Sequence, residues 1–199
     1  MFPLPPPPLI EKETTIALAQ TTATDLDGFA RHMVEHMRES GREGSTHFAP
    51  SRLLVREDVS AAALTRWSKD LDEPVWGRAF LLWAGDSVVG HVELRGGRIV
   101  AEMHRAVLGM GINRAFTGKG HGRRLALTAI EWAREEAGLS WIDLGVFANN
   151  ARARRLYASL GFVEQGARED AFRLDAGITV TDMQMALDLR GVDPGRASG

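Results

Sequence analysis

The segment AFTGKGHGRRLAL, Ala115 to Leu127, places glycine at positions 118, 120 and 122 and runs directly into a helix-forming sequence. This constrains the fold more than any other feature of the chain. Three bare residues ahead of a helix make either a very tight strand-to-helix turn or a cradle for an anion, because the first amides of a helix have no partner inside it. From Arg114 to Ile130 the charges are Arg114, Lys119, Arg123 and Arg124, and the first acid is Glu131. Cations in a first helical turn oppose the macrodipole, and a bound phosphate relieves that conflict. A diphosphate with another phosphate nearby would fit, although a plain tight connection explains the loop alone equally well.

Two familiar phosphate loops are excluded. A Walker loop needs glycine at 113 and Ser or Thr after the lysine, where this chain has Asn113 and Gly120. The dinucleotide fingerprint needs a third glycine where Arg123 stands. Composition narrows the setting: 24 basic against 26 acidic residues give no overall pull toward nucleic acid or membrane, so neither is expected as a partner. There is no cysteine, which removes disulfides, thiolate-ligated zinc and a covalent thiol mechanism together. A cytoplasmic enzyme is the simplest reading.

Around the loop, strand and helix signals alternate. TTIALAQ reads as a strand. TATDLDGFARHMVEHMRES reads as a helix capped by Thr24, with Leu26, Phe29, Ala30, Met33 and Met37 on one face. A helix follows over DVSAAALTRWSKDL, then a hairpin over RAFLLWAGDSVVGHVEL and a strand over HRAVLGMGI. Gly109 and Gly111 inside that strand signal a bulge or the close approach of another group. After the glycine turn, Leu125, Ala126, Ala129, Ile130, Ala133 and Ala137 mark a helix stopped by Gly138. WIDLGVF reads as a strand buried on both faces, and Asn149 or Asn150 caps the next helix. FVEQGARED and GITVTDMQMAL read as closing strands. The expected organisation is a disordered proline-rich arm over 1–12, a single domain over 13–190 and a flexible tail over 191–199, with no membrane span.

GMGINRAFTGKGHGRRLALTAIEWAREEAGL followed by IDLGVFANNARARRLYASLGFVEQGARED resembles the acetyl-coenzyme A binding core of the GNAT superfamily of N-acetyltransferases. The Arg/Gln-x-x-Gly-x-Gly/Ala motif falls on Thr117, Gly118, Lys119, Gly120, His121 and Gly122. The second motif falls on Asn150, Ala153, Leu156, Tyr157, Gly161 and Phe162. The resemblance implies an α+β, three-layer α-β-α fold, the GNAT acyl-CoA N-acyltransferase fold. Its mixed, mostly antiparallel sheet of about seven strands would be splayed at the cofactor site, with helices on both faces. It implies acetyl-CoA as cosubstrate, a primary amine of a small molecule, amino acid or protein N-terminus as acceptor, and direct attack without a covalent enzyme intermediate. A homodimer is left open.

The same resemblance distributes roles. The backbone of Met110, Gly111 and Ile112 would pair with the pantetheine arm, while Thr117 to Gly122 and Arg123 would hold the pyrophosphate. Asn150 would reach the cofactor from the next helix, and Tyr157 would serve the leaving thiolate. Backbone amides at a strand bulge would hold the oxyanion. Related sequences often carry a glutamate base at the position of Val107, so the base is sought among His104, Glu102 and Glu93. His104 is preferred because an ordinary imidazole titrates near neutrality. Glu35, Phe172 and Arg173 would wall the acceptor site. Two rival readings are an acetyl-CoA-binding module without catalysis and a zinc metallopeptidase built on His32, Glu35 and His36, whose HMVEH spacing matches an inverzincin helix. No metal is expected. The two histidines otherwise read as half-exposed flanks of the first helix.

Overall fold

The computed structural model describes residues 13–42, 47–49, 54–174 and 177–191. The proline-rich arm and the tail from 192 onward lie outside the described residues. Seven strands form one sheet in the order β1-β2-β3-β4-β5-β7-β6. The strands are β1 Thr14–Leu18, β2 Gly77–Ala84, β3 Ser87–Gly96, β4 Arg105–Ile112, β5 Trp141–Phe147, β6 Val163–Arg173 and β7 Thr179–Asp188. The helices are α1 Ala23–Glu39, α2 Arg56–Trp67, α3 His121–Glu135 and α4 Ala151–Ser159. Every neighbouring pair is antiparallel except β4 with β5.

Side-chain alternation along the strands sorts the core into two layers. Val92, Leu94, Ala106, Leu108, Ile142, Leu144 and Leu187 face α3 and α4, where they meet Leu125, Ala129, Ile130, Ala133 and Tyr157. Fully burying a leucine such as Leu125 contributes roughly 1.5–3 kcal/mol. On the other face Ala79, Leu81 and Val88 meet Phe29, Ala63 and Trp67 of α1 and α2. Because α1 and α2 lie over β2 to β4, this face of β5 is open as far as Gly145, and only Phe147 at its end is buried. Ile142, Leu144 and Val146 are buried, whereas Trp141 and Asp143 are half-buried and Gly145 is exposed. The expectation of a strand buried on both faces is thus corrected by the helices' placement.

Local capping differs in one place. Thr22, not Thr24, caps α1: its Oγ1 accepts the Asp25 amide at 3.2 Å, and Asp25 reaches back to accept the Gln20 amide at 2.8 Å. In a threonine-rich stretch the hydroxyl that caps is the one on the last extended residue. Asn150 caps α4, accepting the Ala153 amide at 3.2 Å.

The feature that positions the site is a parting of two strands. β4 and β5 pair only through Arg105 with Trp141, Ala106 with Ile142 and Val107 with Asp143. Beyond Val107, β4 stays on β3 in unbroken register to Ile112, while β5 stays on β7 to Phe147. The expected bulge in β4 is therefore absent. The paired end is clamped by Arg105, whose Nε donates to Asp143 Oδ2 at 2.8 Å and whose guanidinium lies over Trp141 at 4.9 Å. Five residues of β4 then run free of β5, a notch about 15 Å long.

Candidate active site

At the open end of β4 a short 3-10 turn, Arg114–Phe116, leads into the glycine loop and α3. Gly118 and Gly120 have φ of +83° and +81°, conformations that side chains rarely tolerate. Gly122 has a different role: a Cβ there would lie 3.2 Å from Leu156 and 3.5 Å from Ile112, so it lets α3 approach β4 and α4. Gly120 is the N-cap and no side chain caps α3. A 15-residue helix therefore presents its first amides, with the positive end of its dipole, at the mouth of the notch.

The cations divide. Lys119 lies 5.9 Å from the Phe116 ring, at the loop. Arg123 donates to Ser159 Oγ at 3.2 Å, and Arg124 is turned away to Thr14 of β1 at 3.1 Å. Arg152, which the motifs did not single out, comes within 3.7 Å of where a Gly118 Cβ would sit, so α4 brings a further cation to the loop. Its signal in the sequence is the arginine-rich start of α4, Arg152, Arg154 and Arg155. Thr117 donates its hydroxyl to the Arg114 carbonyl at 2.9 Å and holds the turn. His121 opens α3 with Nδ1 3.5 Å from Arg124.

Tyr157 is buried on α4 against Phe162, with ring centroids 5.6 Å apart, and burial pushes its phenol up to about 12. Met110 and Ile112 turn their side chains toward Gly122 and α3, leaving the β4 edge beside the notch bare of any strand.

Several expected residues are elsewhere. His104 immediately precedes β4 and is exposed at the closed end of the β4–β5 pair, with its carbonyl receiving the Ser140 amide at 2.9 Å. It stands at the paired end, four residues before the stretch of β4 that β5 has left. Glu102 is exposed and accepts the Arg98 amide at 2.9 Å. Glu93, a candidate base, is buried in mid-β3, where its Oε1 accepts from Arg66 at 2.9 Å and Trp67 Nε1 at 3.1 Å. Val107 is 45% exposed. The expected acceptor-site residues lie on different elements. Glu35 faces Asn113 and lines a cleft of about 430 Å³ with Arg31, Trp83 and Asp86. Phe172 instead stacks at 5.5 Å on Phe147, the last residue of β5, followed by exposed Arg173.

The peptidase arrangement is not formed. His32 and His36 point into the sheet while Glu35 is exposed, and among the described residues no group of three or more His, Cys, Asp or Glu is arranged to hold a metal. Nor are the histidines half-exposed. His32 is wholly buried, His36 is 7% exposed, and His91 of β3 joins them, its Nδ1 lying 2.9 Å from His32 Nε2. Gly111 makes the room: a Cβ there would lie 2.4 Å from His36 Nε2 and 2.9 Å from His91 Cε1. The close approach signalled by this glycine is therefore met by imidazoles. Burial, then the neighbouring His32 ring, holds His36 down to about 3; burial holds His32 near 4. On the same face Asp182 of β7 is buried beside Gly145, and burial raises its carboxyl while Arg168 and Gln184 oppose the shift.

The acetyltransferase (GNAT) family model matches residues 45–162, more than half of the chain. The uncharacterised N-acetyltransferase YycN of Bacillus subtilis is 23% identical over 150 residues, covering 75% of this chain and 94% of that protein. A GNAT-family acetyltransferase structure from Streptococcus pneumoniae superposes with a TM-score of 0.73 at 22% identity, covering 87% of this chain and 98% of that one. The putative acetyltransferase yncA from Salmonella typhimurium, solved with its cofactor acetyl-CoA, gives 0.74 at 20% identity, covering 91% and 96%. Sequence match, opened sheet and glycine turn thus agree, and the chain belongs to the acetyltransferase (GNAT) family.

Proposed function

We propose that this protein transfers the acetyl group of acetyl-CoA to a primary amine by direct attack, the acceptor being a small molecule, an amino acid or a protein N-terminus. The observation that carries the reading is the parting of β4 from β5 after Val107, with the uncapped N-terminus of α3 at its open end. A free strand edge suits the amide-bearing pantetheine arm, and helix amides beside Lys119 and Arg152 suit a diphosphate. Acetyl-CoA supplies the activated thioester. The residues present fit it: Gly118 and Gly120 bare the loop, and Arg152 of α4 reaches it.

Tyr157 acts as a hydrogen-bond donor to the departing sulfur. With its phenol near 12, full transfer to a thiolate of ordinary pKa about 8.5 would be uphill by roughly 5 kcal/mol. A phenol that remains protonated can still stabilise the anion, and water supplies the final proton.

Binding and turnover test this separately. Acetyl-CoA at 100 times its dissociation constant should add roughly 2.7 kcal/mol to stability, seen as a rise in Tm. Because the chain has no cysteine, a thiol dye reads only released coenzyme A when a panel of amines is added. Without a thermal shift the family fold would be serving another ligand. A shift without coenzyme A release would favour the binding module.

A further inference from the structure

Just past Val107, each lip of the notch turns a glycine to the α1 face, Gly109 on β4 and Gly145 on β5, between neighbours that face α3 and α4. Neither has a side chain of its own there, and each is overhung by a head group from the next strand out. Over Gly145 hangs Asp182 of β7, leaning back from its register partner Phe147, with both carboxylate oxygens 2.8 Å from where a Cβ would stand. Over Gly109 hangs Arg95 of β3, whose Nη2 lies 3.8 Å from the corresponding point. A carboxylate and a guanidinium thus flank the opening, one on each lip.

The other charged groups around them are already engaged. Asp143 is held by Arg105 at the closed end, Glu93 accepts from Arg66 and Trp67, and Arg168 lies over the Phe172 ring at 5.7 Å. Arg95 has no such commitment. Its Nε is 3.9 Å from the Glu93 carboxylate, longer than a hydrogen bond, and its side chain is 49% exposed. Among the described residues nothing accepts a hydrogen bond from it. Asp182 is 7% exposed, yet among the described residues no cation lies within 4 Å of it, and its hydrogen-bond donor is the neutral Gln184. Burial raises its carboxyl, and Arg168 offsets this only in part, so the carboxylate is short of positive charge.

We propose that these two head groups select a free α-amino acid as the acceptor, Arg95 binding its carboxylate and Asp182 its ammonium group. This rests on the acetyltransfer reading and chooses among its acceptors. In a free amino acid both charges hang on a single carbon, so anchoring the carboxylate on the β4 lip leaves the amine over the opening. The lips are parted by more than the ordinary strand spacing of about 4.8 Å, which leaves room for that carbon between them. A guanidinium offers a carboxylate paired N–H donors, and each charge-assisted bond is roughly twice as strong as a neutral one. A protein N-terminus or a simple monoamine brings the ammonium alone and leaves Arg95 unanswered. Asp182 accepts N–H bonds from the β5 side, so once a proton has gone to water the nitrogen lone pair is left to face the notch.

The test sets the twenty free L-amino acids against their amides, which lack only the carboxylate, with coenzyme A release as the assay. The best amino acid should exceed its own amide about 10- to 100-fold in kcat/KM, the loss of a hydrogen-bonded charge. Arg95→Gln should bring that ratio close to one, and Arg95→Lys, which keeps the charge without the fork, should restore part of it. Asp182→Asn should raise KM for the amino acid about tenfold with KM for acetyl-CoA unchanged. Calorimetry reads the site without turnover: wild type saturated with coenzyme A should bind the amino acid, and either Arg95→Gln or Asp182→Asn should weaken its Kd about tenfold. Should Asp182→Asn fail to fold, the half-exposed Arg95 decides the matter by itself. An amide used as well as its acid, or a ratio unmoved by Arg95→Gln, overturns the proposal. Wild type that acetylates monoamines or peptides but no free amino acid sinks this inference alone. Wild type that binds acetyl-CoA yet acetylates no amine of any class sinks the transfer reading, and this one with it.

Discussion

The two faces of β4 are built on opposite plans. Toward α3 the strand offers Ala106, Leu108, Met110 and Ile112, and the helix answers with aliphatic side chains at core density. Toward α1 it offers Val107, Gly109 and Gly111, and what fills the space is a set of imidazoles. The first face stabilises through area removed from water. The second carries a desolvation cost that only neutral rings keep small, and it brings titratable groups to the edge of the notch.

Acidification should expose the difference most strongly. His32 and His36 titrate near 4 and near 3 in the folded protein but near 6.5 once unfolded, so below neutrality the unfolded chain binds more protons and stability falls with pH. Between pH 7 and 5 His32 and His36 should each cost about 2 kcal/mol, and His91, held well below its ordinary value by burial, should add to that loss. Denaturant melts at the two pH values should show the loss, and His32→Gln should remove about 2 kcal/mol of it. A flat profile would mean the imidazoles are solvated.

On the apolar face, Leu125→Ala should cost about 3 kcal/mol through the cavity it leaves, with cofactor affinity per folded molecule unchanged. On the polar face the corresponding change is an obstruction. Gly111→Ala should cost about 1–3 kcal/mol by driving a methyl into His36. In a His36→Ala background the same change should cost clearly less, and an equal cost in both would show that the backbone, not the ring, demands glycine. Tyr157→Phe probes the notch itself: losing a hydrogen bond to a charged group should lower kcat about 10- to 100-fold, with Tm unmoved. The smallest effect is expected at the loop. Thr117→Arg gives up a turn hydroxyl and adds an exposed guanidinium, which should tighten acetyl-CoA binding about two- to fivefold in a titration; weaker binding would misplace the pyrophosphate.

Much of the apolar face could be read from the chain. Leu125, Ala129 and Ile130 declare α3 by their spacing, and Gly138, at φ +61°, lies just past its end as an expected stop signal. The loop glycines announce positive φ at 118 and 120 because no other residue takes it cheaply. The polar face could not be read in this way. His32 and His36 border the apolar stripe of α1, and whether a bordering residue is wet or dry depends on what lies opposite. Gly111, 75 residues beyond His36, decides that question. His104 appealed for its chemistry, but only the strand pairing reveals that it sits at the closed end.

Local signals along the chain suffice for the order of strands and helices, the glycine turn ahead of α3, the caps to within two residues and the membership implied by two spaced motifs. These depend on periods of two and 3.6 residues and on backbone dihedrals, which are local properties. Tertiary structure alone decided where β4 leaves β5, which cations stay at the loop, and that three histidines from α1 and β3 meet behind a glycine of β4. Those depend on distances between segments far apart in the chain, and no local signal carries them.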